Sequence, residues 1–138
     1  MFNELHKYKK NGHFFFSKGD NLKEVSSDVP NLPGVYYILK LANGKIDLVY
    51  IGKSGTIKNT GSFKQQGLQK RINNTFDNVK RQAFFEEKII NENIDALDIY
   101  WFVTFDEKNK DLPSFIEGML LQNYFNIYNK LPNWNKEY

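Results

Sequence analysis

Apolar positions recur at two periods along the chain, and the order of those periods outlines the fold. Residues 35–41 and 45–51 are rich in β-branched and aromatic side chains and flank Asn43-Gly44, a strong hairpin signal. Over residues 96–105, Ile99, Trp101, Val103 and Phe105 alternate with Asp98, Tyr100, Phe102 and Thr104, the period of a strand. Both of its faces are apolar enough for a central strand. Helical spacing begins where Leu68, Ile72, Phe76 and Val79 share one stripe. It returns over residues 81–91 through Phe84, Phe85, Ile89 and Ile90, and again from near Pro113 to about Tyr128 through Ile116, Leu120 and Ile127. Asp111 or Ser114 is placed to cap this last helix, with Pro113 suited to its first turn.

The order β-β-α-α-β-α predicts an α+β domain in which helices flank a small antiparallel sheet of three or four strands. Residues 1–30 are polar apart from Phe14-Phe15-Phe16 and read as an N-terminal extension, the aromatic cluster being a short strand or an anchor on the core. Residues 31–138 then form the domain. Residues 53–67 hold three glycines, two threonines, two serines and Lys53, Lys58 and Lys64, and read as a basic loop. A connection of that length inside a compact domain points to function or disorder.

Composition narrows the chemistry. A chain of 138 residues with 16% aromatics is the size of one domain with one core. There is no cysteine, which excludes disulfides, thiolate metal sites and Cys nucleophiles. With only His6 and His13 as histidines, a metal site would rest on oxygen ligands. No apolar run reaches the ~18 residues of a membrane span. The first ten residues are too charged for a signal peptide, so the cytoplasm is the expected compartment. A net charge of +3 permits nucleic-acid binding without requiring it. More telling, only Arg71 and Arg81 among the nineteen basic residues are arginines, and a lysine-rich chain keeps Arg where a planar forked donor is useful.

Candidate chemistry gathers at the ends of the hairpin, in Gly34-Val35-Tyr36 and Tyr50-Ile51-Gly52. Whether the tyrosines share a face depends on register. A two-residue Asn43-Gly44 loop sets Tyr36 opposite Ile51, whereas an Ala42-Asn43-Gly44 loop ending in a bulge sets it opposite Tyr50; the second is the register expected here. Arg71 falls just beyond the apolar stripe of its helix, while Lys70 points away from it. Glu117 has Pro113, Ser114, Leu120 and Leu121 as helical neighbours, none able to pair with it. A carboxylate on so apolar a surface either reaches solvent at the border or is held for a task such as metal binding. Gly52-Lys53-Ser54 lacks the first glycine and spacer of a phosphate-binding P-loop.

The ordered set of these residues resembles the GIY-YIG nuclease family over residues 33–135. That resemblance implies a metal-dependent endonuclease hydrolysing phosphodiester bonds in DNA, either restriction-type or structure-specific. It assigns Tyr36, Tyr50, Lys53, Arg71 and Glu117 to the active site, with Glu117 holding Mg²⁺ or Mn²⁺. The segment Leu131-Pro132-Asn133-Trp134-Asn135 resembles the family's ending and gives its Asn role to Asn135, with Asn133 as competitor. The spacing from Gly52 to Arg71 is longer than usual in the family, and the basic loop accounts for the insertion. Lys58, Lys64 and Lys70 are the expected nucleic-acid contacts. A binding module that keeps the fold without cutting is the alternative.

Overall fold

A computed structural model describes residues 2–63, 67–76 and 79–136, with the backbone alone described at Thr75 and Phe76. The strands are β1 (Asn11–Phe16), β2 (Gly34–Ala42), β3 (Lys45–Ser54), the short β4 (Thr75–Phe76) and β5 (Val79–Lys80), and β6 (Ala96–Val103). The helices are α1 (Leu22–Val25), α2 (Leu68–Asn73), α3 (Arg81–Asn91) and α4 (Pro113–Tyr128), preceded by a 3-10 turn at Asn3–Lys7. The main sheet is four-stranded and antiparallel in the order β1-β6-β2-β3, so the chain is α+β as expected. β6 is central, which explains why both its faces are apolar.

The sheet carries a separate apolar cluster on each face. On one, Tyr36, Ile38, Val49, Leu97, Ile99 and Trp101 pack with Leu68 and Ile72 of α2 and Phe85 and Ile89 of α3. On the other, Val35, Ile51 and Phe102 pack with Ile116, Leu120, Leu121 and Tyr124 of α4 and with Leu5 and Tyr8. No helix among the described residues is long and apolar enough to cross a membrane.

Four expectations need correction. Residues 1–30 are integral to the sheet and core: β1 pairs with β6 from Asn11↔Phe102 to Phe16↔Leu97, and Leu5, Tyr8, Phe16, Leu22 and Val29 are buried. α2 stops at Asn73 instead of continuing through Val79, because Asn74 turns extended (φ −84°, ψ −173°) and Thr75–Phe76 pairs with Val79–Lys80. Val79 is accordingly exposed. β3 runs on through Lys53 and Ser54, shortening the loop, because Ser54 is buried with its Oγ accepting from Gly34 N at 3.1 Å. Neither Asp111 nor Ser114 caps α4; Leu112 stands at the cap, and Asp111 instead accepts from Tyr8 Oη at 2.5 Å and pairs with Lys7 at 2.8 Å.

Candidate active site around the outer strand of the hairpin

The hairpin closes by a two-residue turn, with Asn43 (φ 54°) and Gly44 (φ 71°) both left-handed and Ala42 paired with Lys45. That corrects the three-residue loop expected above. The tyrosines nevertheless share a face, because a bulge lies farther up the ladder: Leu39 pairs with Leu48, Ile38 pairs with Tyr50, and Val49 is the extra residue. Val49 and Tyr50 therefore turn toward the same cluster. Tyr36 lies opposite Gly52, diagonal to Tyr50, and the two rings stand 5.9 Å apart.

Both glycines of the two motifs are required by close approach. A Cβ on Gly52 would sit 2.6 Å from Tyr36 Cζ and 2.7 Å from Tyr50 Cε2, so the missing side chain is the space in which the rings lie. A Cβ on Gly34 would collide with the carbonyl oxygen of Phe102 on β6.

Beneath the rings lies Arg81, the first residue of α3, only 2% exposed. Its Nη2 donates to Tyr36 Oη at 2.8 Å, and its guanidinium carbon lies 5.8 Å and 5.5 Å from the Tyr36 and Tyr50 ring centroids. No role was expected for Arg81 from sequence. Two signals were present: it is one of two arginines in a lysine-rich chain, and it stands one and two turns before Phe85 and Ile89, the buried stripe of α3.

The remaining expected residues wrap around β3. Lys53 pairs across the ladder with Val35 and so projects on the α4 side, where Glu117 occupies the start of that helix. Arg71 is exposed on α2, whose Leu68 and Ile72 anchor it to the sheet. Their charges are mutually felt. Burial pushes the Glu117 carboxyl above its usual range, against the opposing pull of Lys53 and Arg71. Tyr50 is also pushed up, first by burial, then by Tyr36 and Glu117, with Arg81 and Arg71 opposing. Tyr50, Lys53, Arg71 and Glu117 thus surround one end of the hairpin, while Tyr36, 1% exposed, lies under it. Glu117 is half-buried and accepts no hydrogen bond and forms no ion pair within the described residues.

Asn135 bonds to the backbone of Ile51, the middle of the second motif. Its Oδ1 accepts from Ile51 N at 3.0 Å and its Nδ2 donates to Ile51 O at 2.9 Å, while Trp134 N donates to Val49 O at 2.8 Å. The C-terminal segment so closes the free edge of β3 at the bulge. Asn133, the competitor, is exposed and accepts from Lys130 at 3.4 Å, away from the motifs.

No family model, curated protein or solved structure matches the chain. The site's chemistry therefore rests on its own geometry. Among the described residues no three His, Cys, Asp or Glu side chains cluster as a metal cage, and Glu117 is the carboxylate whose charge acts on Tyr50. A desolvated carboxylate without a partner suits a hard divalent cation that keeps most of its waters and shares a substrate phosphate. Of the expected nucleic-acid contacts, Lys58 is exposed within a small loop closed by the Ile57↔Phe63 bridge, and Phe63 packs edge-on against Phe105 at 4.7 Å. Lys70 is exposed on α2, and Lys64 lies outside the described residues.

Proposed function

We propose that the protein is a metal-dependent DNA endonuclease of the GIY-YIG type. The observation that carries this reading is the gathering of Tyr50, Lys53 and Arg71 around Glu117, a half-buried acceptor with no hydrogen-bond or ion-pair partner among the described residues. Glu117 would hold Mg²⁺ or Mn²⁺, which when bound supplies positive charge for the leaving 3′ oxygen. Arg71, exposed beside that carboxylate, is free to fork onto the scissile phosphate and offset charge building on its oxygens. Lys53 adds a second positive charge on the α4 side.

The tyrosines divide between two tasks. Tyr36 is covered and bound by Arg81, so it orients its neighbour instead of meeting substrate. Tyr50 is the phenol at the surface of the pair, and its raised pKa keeps it protonated at neutral pH. It holds the attacking water by hydrogen bonding and is not the base. Asn135 fixes the backbone that carries Tyr50.

The test is cleavage of plasmid and branched DNA after chelation and readdition of Mg²⁺, comparing the wild type with Glu117→Gln. Metal-dependent cleavage is expected, with a loss of about 10³-fold in the variant and DNA affinity nearly unchanged. A variant that cuts at full rate overturns the role of Glu117. Tight DNA binding by a wild type that cuts nothing would leave a binding module on the same fold.

A further inference from the structure

A second feature adjoins this site. Between α1, α2 and the start of α3 runs an open groove lined by Asn21, Leu22, Lys23, Gln69, Lys70, Asn73, Asn74, Lys80 and Gln82. Among the described residues its lining holds three lysines and no carboxylate. By contrast, the surface depression that contains Lys9, Lys10 and Lys108 also contains Asp106 and Glu107. Lys7, Lys40 and Lys88 are paired with Asp111 or Glu92. Lys23, Lys70 and Lys80 are exposed and form no ion pair with a described residue.

The floor is held by side-chain amides. Gln82 accepts from Leu22 N at 2.6 Å and donates to Asp20 O at 2.9 Å, tying α3 to the start of α1. Asn73 donates to Ser26 Oγ at 2.9 Å, tying α2 to the end of α1. The three lysines thus stand on a braced surface, with Glu86 at its margin accepting from Gln82 at 3.1 Å. They line the rim of an open channel and do not converge on one buried point, which suits an extended polyanion better than a small phosphate. α2 links groove and site, since Lys70 lines the one and the charge of its neighbour Arg71 acts on Glu117 and Tyr50 in the other.

We infer that Lys23, Lys70 and Lys80 form a track for the phosphate backbone of duplex DNA, delivering it along α2 to the site at Arg71. The track's role as the substrate path rests on the nuclease reading, whereas the binding it predicts does not. The lysine-bearing stretch that follows β3 is then secondary in gripping the backbone.

The experiment measures binding of a fluorescent mixed-sequence duplex against salt for the wild type, the Lys23→Ala/Lys70→Ala/Lys80→Ala variant, and a control with Lys9, Lys45 and Lys108 changed to Ala. Each phosphate contact contributes roughly 0.9 to the log-log slope, so the groove variant should lose about two to three slope units and bind at least tenfold more weakly at low salt. The control, with the same change in net charge, should keep the wild-type slope. Equal losses in both variants, an unchanged slope in the groove variant, or a wild type that does not bind the duplex would each overturn the track. Cleavage of the same duplex is scored separately. Binding that follows the groove without any cleavage refutes the nuclease reading alone, and cleavage with an unaltered slope refutes the groove alone.

Discussion

The two faces of the β2–β3 hairpin treat their polar groups in opposite ways. On the α3 face, Tyr36 and Arg81 are buried against each other through a 2.8 Å hydrogen bond. On the α4 face, Glu117 is half-buried with no partner among the described residues. A buried hydrogen-bonded pair fixes geometry; a carboxylate without a hydrogen-bond partner among the described residues retains affinity for a cation or a donor. One face holds a fixed pair and the other an unpaired acceptor, and the distinction can be attacked from either side.

The largest effect is expected from Gly52→Ala. Its Cβ would stand 2.6 Å from a fully buried ring, so the fixed pair must shift, at a cost of about 3 kcal/mol measured by urea unfolding. A loss under 1 kcal/mol would show that the tyrosines move freely. Next is Arg81→Met, which leaves the Tyr36 hydroxyl without its donor and should cost about 2 kcal/mol. Tyr36→Phe in the same background should recover roughly 1 kcal/mol relative to additivity, since both partners are then apolar; strict additivity in the double-mutant cycle would break the pairing.

The smallest effect has the opposite sign. Glu117 has its folded pKa raised, so its carboxylate opposes folding: the penalty is absent below the unfolded pKa, grows as pH rises through the folded pKa, and is complete above it. Glu117→Gln should therefore stabilise the metal-free protein by about 1 kcal/mol at pH 7 and converge with the wild type near pH 4. Thermal melts at the two pH values decide this. A variant less stable than the wild type at pH 7 would mean that the carboxylate is satisfied after all.

The hairpin, α3, β6 and α4 were legible because their signals are local: a turn dipeptide, a period, a proline at a first turn. The bulge was not. Leu48-Val49-Tyr50-Ile51 is apolar at four consecutive positions, so alternation carries no phase there, and only packing against α3 fixes which residue is the extra one. β1 was legible only as one of two options, a strand or an anchor, since Phe14-Phe15-Phe16 shows no alternation and its partner lies far along the chain. Phe76 and Val79 extended a helical stripe by coincidence of spacing. At the site, Tyr50, Arg71 and Glu117 could be proposed from their order, while Arg81 could not, because its importance depends on what the folded sheet places above it.

The strand order β1-β6-β2-β3 also bears on how the protein is made. β2 and β3 meet across a two-residue turn and can pair as soon as both exist. β1 emerges from the ribosome earlier, yet its one strand partner among the described residues is β6, which is translated much later. Through that interval Phe14, Phe15 and Phe16 wait without a ladder to join. Lys7, Lys9 and Lys10 precede that triplet, and charges flanking an apolar run disfavour its association with other chains.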